Sequence, residues 1–173
     1  MDLKSAIRTI PNFPKSGIMF RDITTLLGNK EAFQQTINQL AQRYQHQDVD
    51  VVAGIEARGF IIGAALADRL NKPFVPIRKK GKLPGKVVEQ EYALEYGFDK
   101  IEMHVDALKS GDRVLVVDDL IATGGTVLAA TKLVEQVGGI VHECAFVIGL
   151  PDLRGKEKLD KYKVFTLVEF EGH

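Results

Sequence analysis

The sequence predicts an α/β fold, a central, mostly parallel sheet flanked by helices, on two observations. Short apolar, β-branched runs at residues 51–55, 74–77, 114–117 and 140–149 alternate with segments at 31–47, 59–70 and 126–137 whose apolar residues recur at helical spacing. That order makes successive βα units, whose crossovers bring the strands together in parallel. The residues best suited to chemistry also fall just after the strands: Arg58, the basic stretch from Arg78, and Asp118-Asp119 with the loop behind them. Ligands of such sheets bind outside the carboxyl ends of the strands, so the three segments are expected on one edge.

Taken in order, residues 3–10 suit a short helix that Pro11 and Pro14 stop. Residues 17–23 read as an apolar turn or short strand bearing Arg21-Asp22. Residues 31–47 set Phe33, Ile37, Leu40 and Tyr44 on one helical face. Residues 50–55 form a buried strand, 56–59 its loop, and 60–70 an Ala- and Ile-rich helix. Residues 73–77 suit a strand in which Pro76 is a point of interruption. Residues 87–100 show no clear period, and 101–105 suit a strand before the turn at 110–112. The central strand and its helix end at Gly138-Gly139. Residues 140–150 form the next strand, 156–161 are polar, and 164–170 alternate as a last strand.

The 173 residues suit one domain, and 45% hydrophobic with 27% charged residues is ordinary for a water-soluble protein. A formal net charge of zero argues against nucleic acid or an anionic membrane as partner. One cysteine, Cys144, sits in an apolar run and suits a buried thiol in a reducing, cytoplasmic setting. The polar N-terminus lacks a signal core, and no run approaches the ~20 apolar residues of a membrane span. His46, His104, His142 and His173 are scattered and suggest no zinc site, so no protein-held metal is expected.

The densest signal is residues 114–126: an apolar strand, Asp118-Asp119, the turn Ala122-Thr123-Gly124-Gly125-Thr126, and a helix start. Backbone N–H groups and the helix dipole at such a turn favour a phosphate. The loop lacks the lysine of a nucleoside-triphosphate loop, which points to a phosphate monoester. Carboxylates repel phosphate but accept hydrogen bonds from a vicinal diol. Phosphate and diol side by side describe a ribose 5-phosphate. Arg58, near Gly54 and Gly59, suits a bidentate grip on a diphosphate, and Arg78, Lys79, Lys80, Lys82 and Lys86 form a basic patch beside it. A surface ion pair with Glu56 is the alternative for Arg58, and a solvated charge run the alternative for the patch. Residues 81–100, long and rich in Gly and charge, suit a flexible lid that excludes water.

The 114–126 stretch resembles the phosphoribosyl-diphosphate binding motif of the type I phosphoribosyltransferases. The segments 13–23, 56–60, 78–85 and 92–97 add a specific likeness to the branch of that family that uses adenine, in the same order and over nearly the whole chain. The resemblance implies one phosphoribosyltransferase domain over residues 1–173, with a small hood at about 1–30 and a lid at about 81–100. It implies a pentosyl transfer in purine salvage, from phosphoribosyl diphosphate to adenine, giving AMP and diphosphate. Magnesium is implied, held mainly through substrate and water, and so is a homodimer. Ala122, Thr123, Gly124, Gly125 and Thr126 match positions holding the 5-phosphate, with Asp118 and Asp119 near the ribose hydroxyls. Arg58, Arg78 and Lys82 match diphosphate contacts. Met19, Phe20 and Arg21 match the hood positions around the base, Leu150 an apolar position on its other side, Glu95 a proposed proton-transfer carboxylate, and Tyr96 the residue capping the site. A regulator on the same fold would need an added DNA-binding element, for which the chain leaves no room.

Overall fold

The computed structural model describes residues 1–94 and 96–172. After a 3-10 turn at Leu3–Ala6, strands β1 (Arg8–Pro11) and β2 (Met19–Asp22) pair as a separate antiparallel hairpin, the hood. Helices α1 (Thr24–Leu27) and α2 (Lys30–Tyr44) lead into β3 (Val51–Ile55), α3 (Arg58–Leu70) and β4 (Phe74–Lys79). Then come β5 (Val87–Leu94), β6 (Gly97–His104), β7 (Arg113–Ile121), α4 (Gly125–Gln136) and β8 (Ile140–Gly149). A 3-10 turn (Pro151–Leu153), α5 (Gly155–Lys158) and β9 (Val164–Glu169) complete the described chain.

Among the described residues the main sheet has seven strands in the order β5-β6-β4-β3-β7-β8-β9. The five strands from β4 to β9 are parallel to their neighbours, while β6 and β5 run antiparallel at one edge. The expected α/β sheet is therefore present. Its period-2 alternation splits the core in two. Val52, Leu115 and Val117 pack against α2 and α3, whereas Val51, Ala53, Val114 and Val116 pack against α4. Both faces are covered, which is why these strands are almost uniformly apolar.

Four local expectations need correction. The helix expected over residues 3–10 is one 3-10 turn, and Arg8–Pro11 is a strand instead. That strand is legible only through its partner: Arg8 faces Asp22 and Ile10 faces Phe20 across the hairpin. Pro76 does not interrupt β4. Strand β6 joins β4 only at Arg78 and Lys79, so the missing N–H of Pro76 costs no ladder bond on that side. Strand β7 does not stop before the acidic pair but carries Asp118 and Asp119 within it. Finally, the irregular lid is an ordered hairpin, with β5 and β6 paired from Val87↔His104 to Leu94↔Gly97.

Below the sheet, far from the loops after the strands, Glu143 of β8 is almost fully buried. It accepts hydrogen bonds from Arg43 Nε at 2.8 Å and from the Tyr44 hydroxyl, tying α2 to the sheet. Burial alone would push its carboxyl up, but the Arg43 and Tyr44 bonds outweigh burial and hold it below its ordinary 4.5. Its stabilisation is thus present above pH 4.5 and lost as pH falls through the depressed value. Glu143→Ala strands both partners, although Arg43 still reaches water. The expected cost is about 2–3 kcal/mol in urea unfolding at pH 7, shrinking at acid pH.

Candidate active site

A cleft of about 340 Å³ opens at the carboxyl ends of β3, β4 and β7. Its floor is the loop that was expected to hold phosphate, Ala122, Thr123, Gly124, Gly125 and Thr126, and Asp118, Glu56 and Lys79 stand on its walls. Helix α4 begins here without a side-chain cap, on Gly124 at φ +86°. The N–H groups of a first helical turn have no acceptor within the helix, so those of α4 and its dipole are left for an anion. The loop is held from beneath by α5. A Cβ on Gly124 would lie 2.7 Å from the Gly155 carbonyl oxygen, and one on Gly155 would lie 2.3 Å from that of Ala122. Only paired glycines permit this approach.

The alternation of β7 continues through its carboxylates and sends them to different tasks. Asp118 lines the cleft. Asp119 turns to the α3 side, where Arg58 Nε donates to its Oδ2 at 2.5 Å. The Asp119 N–H donates to Asp118 Oδ1 at 2.8 Å, so the two are also linked directly. Burial, then the neighbouring Asp119 charge, push the Asp118 carboxyl well above its ordinary 3.8. Arg58 is the first residue of α3, not part of a loop. Burial opposes its charge, but the bond to Asp119 and the nearby carboxylates outweigh that and raise its pKa. Helix α3 approaches β7 closely because residue 59 is glycine: a Cβ there would sit 2.8 Å from Asp118 Oδ1.

The ion pair with Glu56 that stood as the alternative for Arg58 does not form: Arg58 pairs with Asp119, and Glu56 with Arg78 (3.3 Å). Glu56 also accepts the Lys79 N–H at 3.0 Å. Burial raises the Glu56 carboxyl, yet these donors outweigh it and hold the group below 4.5. Two residues after Lys79, the Gly81 N–H donates to Glu102, itself buried, at 2.9 Å. Two carboxylates thus brace the turn that presents Lys80 and Lys82, and the Lys82 carbonyl accepts from Arg78 at 3.5 Å. The sequence reading missed both braces. Glu102 lies in the stretch of opposite strand direction, and its register with Arg78 is a tertiary fact.

The hood meets the sheet through Phe20. Its ring stands edge-on to Phe13 at 5.1 Å and lies 6.0 Å from the Arg58 guanidinium carbon. Met19 is 40% exposed. The Arg21 side chain is occupied elsewhere, on Thr9 and on the chain's last residues. Leu150 is buried at the end of β8, where its N–H donates to the Ile121 carbonyl at 3.0 Å. It lines a second cavity, beside the loop and Gly155. Tyr92 and Leu94 of β5 reach the main cleft. Tyr96, expected to cap the site, is 85% exposed, and Glu95 lies outside the described residues. Among the described residues no three His, Cys, Asp or Glu side chains converge as a metal set.

Comparison with known proteins follows the same geometry. A family model described as "Phosphoribosyl transferase domain" matches residues 22–172. The chain is 61% identical, over 99% of both lengths, to the adenine phosphoribosyltransferase of Chlorobium phaeobacteroides. A crystal structure of the enzyme of that name from Thermoanaerobacter pseudethanolicus superposes with a TM-score of 0.95 at 50% identity, covering 98% of each chain. The Saccharomyces cerevisiae adenine phosphoribosyltransferase, solved with an imino-altritol bisphosphate and adenine, superposes with a TM-score of 0.91 at 42% identity, covering 96% of this chain and 97% of that one. With the strand, acidic pair and glycine-backed loop gathered at one cleft, and with likeness extending over the whole chain, this protein belongs to the type I phosphoribosyltransferases, in the adenine phosphoribosyltransferase branch.

Proposed function

We propose that the cleft binds phosphoribosyl diphosphate and adenine and transfers the 5-phosphoribosyl group to the base, giving AMP and diphosphate in purine salvage. The observation that carries this reading is the pairing of Asp118 with the uncapped start of α4 across one cleft, an acceptor for a diol beside a donor set for a phosphate monoester. Ala122, Thr123, Gly124, Gly125 and Thr126 hold the 5-phosphate. Asp118 takes the ribose hydroxyls and Asp119 aims Arg58. Arg58, Arg78 and Lys82 bind the diphosphate and take up charge as it departs.

In the transfer, the bond from C1 to the diphosphate oxygen breaks with its electron pair leaving on oxygen. A ring nitrogen of adenine then supplies the pair for the new bond to C1 and gives up its proton. Burying the reacting carbon under the hood and the β5–β6 hairpin keeps water from taking the place of the base. Phe20 stacks on the ring, Met19 and Arg21 present backbone groups to its edge, Leu150 and Tyr96 close the pocket, and Glu95 receives the proton. These base-side roles rest on the family likeness of their positions. A magnesium ion would be held mainly through substrate and water oxygens, since Arg58 already occupies Asp119, and Arg78 with the Lys79 N–H occupies Glu56, which leaves Asp118 as the cleft carboxylate available to it. Magnesium bound there would supply positive charge to neutralise the leaving group beside Arg58, Arg78 and Lys82.

A homodimer and a cytoplasmic setting complete the reading. Phe13, Ile18 and Ile61 are exposed apolar side chains that a second copy could cover, and sedimentation should give the mass of two chains. A buried Cys144, its thiol pushed up to about 12 by burial, suits a reducing compartment. No helix among the described residues is long and apolar enough to cross a membrane.

A panel of adenine, hypoxanthine, guanine and uracil with phosphoribosyl diphosphate and magnesium tests the specificity. Adenine should be consumed, and turnover of hypoxanthine without adenine would overturn it. Glu95→Gln should lower kcat by about 100-fold with less than about a threefold change in the KM for adenine. A raised KM with kcat retained would make Glu95 a binding residue instead.

A further inference from the structure

The end of the chain crosses between the two elements assigned to the base. Phe170 is buried in the core that packs on α2 and α3, and its N–H donates to the Gly149 carbonyl at 3.0 Å, just before Leu150. From the other side the Arg21 guanidinium lies 4.6 Å over the Phe170 ring, with the Lys4 ammonium at 4.9 Å. Arg21 Nη2 donates to the carbonyls of Gly172 (2.8 Å) and Glu171 (3.3 Å), while its Nη1 donates to Thr9 Oγ1 at 2.6 Å across the hood hairpin. Gly172, at φ +77°, turns its N–H to Asp152 Oδ2 at 2.7 Å, in the 3-10 turn that follows Leu150. The tail is therefore bonded on one flank to β2 and on the other to the turn after β8.

We propose that residues 170–172 are a strap that fixes the distance between the hood strand and the Leu150–Leu153 turn, and that Asp152 is a positioning residue for adenine binding. The inference rests on the reading of Met19, Phe20, Arg21 and Leu150 as base contacts. The chemistry of the contacts favours such a role. The strap is held by a stacked guanidinium and by hydrogen bonds to main-chain carbonyls, which fix direction as well as distance. Among the described residues the hood shares no strand ladder with the main sheet, so its placement depends on ties of this kind. The side chain of Arg21 is thereby spent on position, which leaves its backbone for recognition.

The test uses Asp152→Ala, Asp152→Asn and a chain ending at Phe170. Steady-state kinetics with each substrate varied should show the KM for adenine raised about five- to tenfold in the alanine variant and the shortened chain, the loss expected when one or two bonds stop holding the hood. The KM for phosphoribosyl diphosphate should stay within about twofold. Asp152→Asn keeps an oxygen acceptor for the Gly172 N–H and should behave as the parent. Amide exchange at residues 19–22 should quicken in the same two variants and not in the asparagine one. Equal rises in both KM values with a lowered Tm, or unchanged exchange and adenine KM, would overturn the strap. A parent chain that leaves adenine unconverted would overturn the proposed function instead, and exchange at residues 19–22 would still decide the strap.

Discussion

Gly155→Ala should lower kcat/KM for phosphoribosyl diphosphate by about 100-fold, although residue 155 carries no group that could touch a substrate. A Cβ at this position would fall 2.3 Å from the Ala122 carbonyl oxygen and 3.1 Å from its carbon, both backbone atoms that no rotamer change can move. Relief requires the phosphate loop or α5 to shift. Overpacking of this kind costs about 1–3 kcal/mol, which at this chain length lowers Tm by several degrees. A displacement near 1 Å of a substrate-positioning group costs about 10²-fold in rate. The loss should appear with phosphoribosyl diphosphate varied, because the loop lines the cleft where the 5-phosphate is proposed to sit. Gly125→Ala is the control for stability: its Cβ meets nothing within 4 Å, so it should leave Tm unchanged or slightly raised. A Gly155→Ala enzyme with parental kinetics would show that α5 does not set the loop.

Position 155 also marks where reading the sequence stops. The strand, acidic pair, Gly-Thr loop and helix of residues 114–136 were legible because each is a local pattern, and β3, β7 and β8 among the five parallel strands were legible because burial on both faces leaves continuous apolar runs. Gly155 sits in a polar stretch, and its need for a missing Cβ comes from a loop more than thirty positions earlier. The Arg58–Asp119 pair spans 61 positions, and nothing in either neighbourhood selects Asp119 over Glu56 as the partner. Residues 101–104 fall within the strand expected at 101–105, but β5 and the first half of β6 escaped for another reason. At a sheet edge the half-exposed strand β5 mixes Glu, Gln and Tyr with Val, so neither a clean alternation nor an apolar run is required. The hood strand Arg8–Pro11 is mostly exposed and exists through one hairpin partner, where burial leaves little trace in composition.

Asp118→Asn should make the protein more stable at neutral pH while removing most of its activity. The Asp118 carboxyl is raised by burial and by the adjoining Asp119 charge. Between its ordinary 3.8 and that raised value the folded chain binds more protons than the unfolded one, so stability falls as pH rises through the window. Above it, the full cost of holding the charge in place is present. Asparagine removes the charge, and its oxygen can still accept the Asp119 N–H now bonded to Asp118 Oδ1 at 2.8 Å. The gain should be on the order of 1 kcal/mol at pH 7, or about 2–4 °C in Tm, and should vanish below pH ~4, where the aspartate is protonated in both states. Activity moves the other way. The carboxylate proposed to accept ribose hydroxyls, and to face positive charge developing at C1, is exchanged for a neutral amide, and kcat/KM should fall by about 100-fold. Asp119→Asn separates the two roles. It breaks the ion pair with Arg58, a loss larger than the relief of its repulsion on Asp118, so it should lower stability as well as turnover. Opposite signs of ΔTm for adjacent Asp→Asn changes follow from the alternation of β7, which puts one carboxylate in the cleft and the other in an ion pair. Matching signs would mean that the two acids share one environment.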